Sequence, residues 1–330
     1  TKKQKQEIAE IRKEIDALPK EEYIFDNKGM FSEQQTLPEL SMEDKISESY
    51  IKRYTDVFSS NTFKGKKIVV YQHSAVGRDI VSKIFAMLGA EVITAGRSDT
   101  FVPVDTEKVS DETRDKLKDW AEEYKPFAII STDGDSDRPL FTDEKGEFLP
   151  GDKLGALVSI FLKPDYAAVP ISANDAVVKA LIGNNIEVKQ TKIGSPYVIK
   201  AMNDVLKNKR DAKIVSWESN GGFLLGNDWD IFGEKLKALP TRDAVLPIIS
   251  VLCLAIRENK SVSELIKSSL PQRQTHADVV DNATPGCERY TTEIGKEIIT
   301  KFSPKNSEIL SVNFSKDDIA GKVSEVSSRH

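Results

Sequence analysis

At 330 residues the chain is too long for one ordinary hydrophobic core, and two or three domains are expected. With 39% hydrophobic and 30% charged residues it has the composition of a globular protein; a net charge of −5 without a basic block leaves no nucleic-acid footprint. No apolar run approaches the ~18 residues that span a bilayer, and Cys253 and Cys287 form no metal spacing, so a reduced, cytoplasmic protein without membrane contact is expected.

Residues 2–18 place Ile8, Ile11, Ile15 and Leu18 at helical spacing on a charged helix, which Pro19 closes. An apolar stripe at the extreme start needs something to pack on, so the chain is expected to begin inside a longer protein. Residues 20–44 read as a connector, and a second helix runs from about Met42 to Phe58. From Lys66 the pattern alternates: strand 67–72, helix 77–88, strand 91–95, helix 111–124, strand 127–131. Strands separated by helices of this length make a mostly parallel sheet covered on its faces, with ligands gathering at the strands' carboxyl ends. Gly146 turns a short hairpin, and a helix at 152–161 restarts the plan with strand 167–170, helix 175–182, strand 187–190, helix 196–206 and strand 213–217. Helices at 243–256 and 262–268 follow; beyond Pro271 a helix at 290–301 and a strand near 309–314 are expected. The fold class is α/β: tandem three-layer α/β/α domains with mostly parallel mixed sheets, plus an incomplete α+β C-terminal domain. The expected divisions are a connector at 1–45, domains at 46–150 and 151–271, and a partial domain at 272–330.

Phe127–Thr142 carries the strongest chemical signal. An apolar run enters a turn holding Asp133, Asp135, Asp137 and then Arg138, and a second apolar run leaves it. Carboxylates at i, i+2 and i+4 in a turn repel one another unless a cation sits among them. Oxygen ligands without Cys or His suit Mg²⁺ or Ca²⁺ rather than Zn²⁺. Asp133, Asp135, Asp137 and Glu144 also mimic EF-hand positions 1, 3, 5 and 12, but Arg138 stands where that loop needs Gly and the flanks are strand-like. A solvated acidic turn and an aspartyl-nucleophile phosphatase loop are the other readings of the same residues.

Two more loops follow strands. Glu218-Ser219-Asn220-Gly221-Gly222 offers an acceptor, two donors and room for close backbone approach, which are the needs of a sugar-hydroxyl site. A polar Gly-Gly turn without a ligand explains it equally well. Thr191-Lys192-Ile193-Gly194-Ser195-Pro196 starts a helix with Ser195 as N-cap and Pro196 at the first helical position. Its free N–H groups and Lys192 can hold an anion. Simple capping explains it too. His73 follows a strand without an acidic partner at a fixed offset and reads as part of a domain-interface loop. Arg242-Asp243 reads as a helix start, with Asp243 suiting the dipole and Arg242 available to phosphate.

Together these loops resemble the α-D-phosphohexomutases, the family containing phosphomannomutase and phosphoglucomutase. The family's metal loop, D-G-D-x-D-R, is matched at Asp133–Arg138, its sugar loop E-x-N-G-G at Glu218–Gly222, and its T-x-x-G loop at Thr191–Gly194. The Arg242-Asp243 pair follows in the right order, and the resemblance covers about residues 45–300. It implies a four-domain enzyme that moves phosphate between the C1 and C6 oxygens of a hexose through a phosphoserine and a bisphosphorylated intermediate. By that resemblance Asp133, Asp135 and Asp137 hold Mg²⁺, and Arg138 supports the phosphoserine or substrate phosphate. Glu218 and Asn220 read sugar hydroxyls, Gly221 and Gly222 give backbone room, and Lys192, Gly194, Ser195, Ser219 and Arg242 complete the substrate-binding set. The implied partners are a mannose or glucose phosphate and the hexose bisphosphate. The family's T-A-S-H-type serine loop and R-x-S-G-type phosphate loop have no match here. The expectation is therefore a piece of a longer mutase, holding domains two and three and part of four, without turnover alone. A non-catalytic sugar-phosphate or metal-binding module and a metal-dependent sugar phosphatase are the alternatives.

Overall fold

A computed structural model describes residues 2–18 and 44–270. Of the connector expected over 20–44, all but residue 44 lies outside the described residues, as do the elements expected beyond Pro271. The chain divides into two compact units, Thr1–Lys45 and Ile46–His330. In the first, Lys2–Asp16 forms helix α1, whose Ile8 and Ile11 are exposed.

The second unit opens with the end of α2 (Asp44–Thr55), then β1 (Lys67–Tyr71), α3 (Arg78–Met87), β2 (Glu91–Ala95), α4 (Asp111–Tyr124), β3 (Ala128–Thr132) and β4 (Pro139–Phe141). Its first sheet has the order β2-β1-β3-β4, parallel except for β4, which returns antiparallel beside β3. The middle strands β1 and β3 are buried almost throughout, with apolar stretches Ile68–Tyr71 and Ala128–Ile130, because both faces are covered; edge strand β2 is mostly exposed or half-buried.

The second sheet is built from β5 (Tyr166–Pro170), β6 (Glu187–Thr191), β7 (Ile214–Trp217), β8 (Phe223–Leu225) and β11 (Leu239–Asp243), in the order β11-β8-β7-β5-β6. Strands β6, β5 and β7 are parallel, and β8 runs antiparallel to both its neighbours, β7 and β11. Helices α5 (Gly151–Leu162), α6 (Asp175–Gly183), α7 (Ser195–Asn208), α8 (Val245–Arg257) and α9 (Val262–Ser269) accompany it. Every residue of α8 from Val245 to Ala255 is buried, so this helix is apolar all round. One core runs from Ile51 to Leu270 and joins the two sheets through α5 and α8, while Leu117 and Met202 centre smaller clusters on the sheets' other faces. The sheets are thereby covered on both sides, the α/β layering expected from the sequence.

Residues 218–243 depart from expectation. The three-residue strands β8, β9 (Trp229–Ile231) and β10 (Glu234–Leu236) are too short to show a period. Phe232 and Gly233 turn the β9–β10 hairpin with φ of 56° and 85°, the paired positive values that such two-residue turns use. Asp243 ends β11 instead of opening a helix, and α8 begins at Val245. The Arg242-Asp243 helix start is therefore corrected: Arg242 projects from a strand end.

Glu144, the twelfth position of the EF-hand mimic, is used elsewhere. Its carboxylate accepts hydrogen bonds from the N–H (3.0 Å) and hydroxyl (2.5 Å) of Ser263 in the first turn of α9. Burial opposes its ionisation, but these bonds outweigh burial and hold its pKa below the ordinary value. A depressed folded-state pKa adds stability that is fully present above the unfolded value, about 4.3, and is lost as pH falls through the folded one. Glu144→Gln should therefore lower the melting temperature at pH 7, with the difference shrinking towards pH 3. A difference that grows on acidification would refute this role.

Candidate functional site

The acidic turn leaves the carboxyl end of β3 and is tied at both its ends. Asp133 N–H donates to the Arg138 carbonyl (3.0 Å), and Arg138 N–H donates to Asp133 Oδ1 (3.2 Å). Ser136 takes a φ of 65°, sparsely populated for a residue with a Cβ, and its hydroxyl accepts from Thr132 Oγ1 and Gly77 N–H, both at 2.9 Å. The 72–78 loop thus lies directly on the turn: Val76 N–H donates to the Gly134 carbonyl at 3.0 Å, and a Cβ at Gly77 would come within 2.9 Å of Ser136 Oγ. His73 is fully buried and its Nε2–H donates to the Thr132 carbonyl (2.8 Å), so it braces the strand end that carries the turn. Burial lowers its pKa first of all.

One carboxylate oxygen from each of Asp133, Asp135 and Asp137 lies within 4.8 Å of the others. Burial, then repulsion from Asp135 and Asp137, pushes Asp133 up to about 6 despite the opposing Arg138 N–H. Asp137 is raised as well, chiefly by burial, with Arg242 opposing. Arg138 Nε stands 3.6 Å from Asp133 Oδ2 and from Asp137 Oδ1, too far for a hydrogen bond. Neither Arg138 Nε nor Asp137 Oδ1 has a hydrogen-bond partner, although both atoms are buried. Asp137 Oδ2, by contrast, is held by Arg242 Nη2 at 2.6 Å. An orphaned buried carboxylate oxygen within a set of crowded carboxylates fits a hard divalent cation bound through oxygen.

The second loop leaves β7. Glu218 is buried, and its Oε2 accepts from Ser195 Oγ at 2.6 Å. Ser195 is therefore not the N-cap expected from the sequence. Gly194 occupies the cap with φ 121°, Ser195 enters the first helical turn with Pro196, and its hydroxyl serves Glu218. Ser219 Oγ is 3.2 Å from Ser172 Oγ, beyond the end of β5. Asn220 turns its Oδ1 back to Gly222 N–H (3.0 Å), and its carbonyl accepts from buried Thr106 Oγ1 (3.0 Å). Lys192 is exposed, with Nζ 6.0 Å above the Tyr197 ring.

The two loops interlock. Gly221 has φ 86°, and a Cβ there would lie 3.0 Å from Pro139 Cγ, just past the acidic turn. A Cβ at Gly222 would lie 2.8 Å from Arg242 Cδ, and one at Gly151 only 2.2 Å from Gly221 N. These glycines allow close packing of the chain on itself, a reason the sequence did not disclose. Ser172, Thr106, Ser136 and His73 also escaped selection as site residues; Gly77 and Gly151 were the nearest available signals.

Two family models match the chain: phosphoglucomutase/phosphomannomutase alpha/beta/alpha domain II over residues 48–146 and domain III over residues 150–272. The chain belongs to the α-D-phosphohexomutase family. It is 46% identical over 245 residues to a phosphomannomutase of Salmonella muenchen, covering 74% of this chain and 50% of that protein. It is 42% identical over 222 residues to a phosphomannomutase of Sinorhizobium fredii, covering 67% and 46%. A solved phosphoglucomutase/phosphomannomutase family protein from Burkholderia thailandensis shares the fold at a TM-score of 0.54 and 16% identity, covering 69% of this chain and 47% of that one. The chain spans about half the length of the curated relatives it matches. This phosphohexomutase chain therefore carries its acidic turn in the stretch matched by the domain II model and its Glu218 loop in the stretch matched by domain III. Among its described residues no helix is long and apolar enough to cross a membrane.

Proposed function

We propose that this chain supplies the cation-binding and sugar-binding loops of a phosphomannomutase-type isomerase, acting on the C1 and C6 phosphates of a hexose. The observation that carries this reading is the interlocking of the two loops, through Arg242 on Asp137 and Gly221 on Pro139. Asp133, Asp135 and Asp137 would hold Mg²⁺, which when bound neutralises charge on the transferring phosphoryl group. Arg138, whose buried Nε makes no hydrogen bond, would donate to a phosphate oxygen beside that cation. Glu218, oriented by Ser195, accepts from two adjacent sugar hydroxyls, and Ser219 supplies a further hydroxyl contact. Lys192, exposed on the same loop as Ser195, meets the sugar's remote phosphate. The names of the relatives favour mannose phosphate as substrate; a hexose bisphosphate intermediate is part of the proposed chemistry.

The phosphoserine of the family's chemistry has no matching loop among these 330 residues. The purified chain, given mannose 6-phosphate, Mg²⁺ and a hexose bisphosphate, is expected to bind the sugar without converting it. Joined to a polypeptide carrying the family's serine loop, it should form mannose 1-phosphate. Turnover by the chain alone would overturn this division of labour. Release of inorganic phosphate that Asp133→Asn abolishes would assign a phosphatase instead.

A further inference from the structure

Arg242 does something no substrate-binding role requires. At its tip, Nη2 meets Asp137 Oδ2 at 2.6 Å; along its stem, Cδ, Cγ and Cβ lie against Gly222, where a Cβ would sit 2.8 to 3.1 Å from them. One side chain therefore touches a carboxylate of the acidic turn and the backbone of the sugar loop. It is also fixed from behind. Its neighbour Asp243 is buried and accepts hydrogen bonds from the Tyr50 hydroxyl (2.7 Å), the Tyr54 hydroxyl and Val245 N–H (3.0 Å). Three donors thus hold the strand end from which the Arg242 stem runs along Gly222.

Asp137 has two chemically different oxygens in this setting. Oδ2 is taken by Arg242, while Oδ1 is buried without a hydrogen bond, its charged neighbour being Arg138 Nε at 3.6 Å. Rotating the carboxylate to exchange them breaks a short charge-assisted bond, so the guanidinium keeps Oδ1 presented to the cation.

We infer that Arg242 is a positioning residue that couples the divalent-cation seat to the Glu218–Gly222 loop. The inference rests on the cation reading above and adds a path between the two halves of the site. A cation drawing on Asp137 weakens that carboxylate's hold on the guanidinium, and the stem shifts against Gly222. Because coupling is reciprocal, a ligand that moves Gly222 alters cation affinity by the same factor.

The test is a titration of the purified, isotope-labelled chain with Mg²⁺ alone, followed by backbone amide resonances. In the wild type, Asp135 and Ser136 should shift together with Gly221 and Gly222, along one binding curve. Arg242→Met keeps an apolar stem and removes the guanidinium; the acidic turn should still titrate while the Gly222 shift falls at least threefold. Arg242→Lys should recover part of it, and a purely structural role for Arg242 would leave the shift pattern alone. Gly221 and Gly222 standing still in the wild type overturn the coupling and leave the cation reading intact, an outcome that needs no variant to fold. An undiminished Gly222 shift in Arg242→Met overturns it as well. Silence of Asp135 and Ser136 overturns the cation reading, and the coupling with it.

Discussion

Asp133→Asn should weaken Mn²⁺ or Mg²⁺ binding by at least ~100-fold, the upper end of what losing even an outer-shell partner of a metal costs. The same substitution should leave the metal-free protein as stable as the wild type or more so. Both effects have one cause. Asp133 is 9% exposed and shares a turn with two other carboxylates, so burial and repulsion raise its pKa to about 6. At neutral pH the folded protein carries that charge at a cost. Asparagine removes the charge while its Oδ1 can still accept from Arg138 N–H, the bond that closes the turn at 3.2 Å. A cation site of this kind is a place where function opposes stability. Isothermal titration with Mn²⁺ measures the loss, and thermal melting of the metal-free proteins measures the gain. A destabilised Asp133→Asn that still bound Mn²⁺ normally would make the carboxylate a structural group.

Gly151→Ala should be the most damaging single methyl added to this site. The new Cβ would lie 2.2 Å from Gly221 N, 2.5 Å from Gly221 Cα and 2.5 Å from the Ser219 carbonyl oxygen, all backbone atoms that no rotamer change can relieve. Either the start of α5 or the sugar loop must move. Overpacking of this kind costs about 1–3 kcal/mol or more, and a shift of about 1 Å in a positioned loop can cost ~100-fold in the reaction it serves. Gly183→Ala is the matched control. It ends α6, and a Cβ there meets nothing within 4 Å, so the change should be neutral or stabilising by up to about 1 kcal/mol. Urea unfolding and sugar-phosphate binding separate the two variants. Equal behaviour would mean that α5 does not set the position of Gly221.

The acidic turn could be read from the sequence because three carboxylates at alternate positions are electrostatically intolerable without a purpose. The parallel strands could be read too. Buried β1, β3 and β5 are built on short apolar runs bracketed by helices, and edge strands β2 and β6 are more polar and more exposed. The region from Gly222 to Asp243 could not, because strands of three residues carry no period and Pro240 interrupts the longer β11. The site's internal bonds were hidden for another reason. Thr106 meets Asn220 across 114 residues and Tyr50 meets Asp243 across 193, and no local pattern encodes such pairs. Ser195-Pro196 shows the limit most clearly. The dipeptide announced a helix start correctly, yet the hydroxyl that local rules assign to the cap was taken by Glu218.

That the acidic turn and the Glu218 loop form one divalent-cation and hexose-phosphate site can be tested most directly by anomalous scattering from a crystal soaked with Mn²⁺. A single anomalous peak is predicted among Asp133, Asp135 and Asp137, within about 2.0–2.3 Å of their oxygens, a range spanning hard-cation distances. Asp137 should contribute Oδ1 while Oδ2 stays with Arg242. An ordered turn without a peak, or a peak at some other carboxylate cluster, would contradict the assignment.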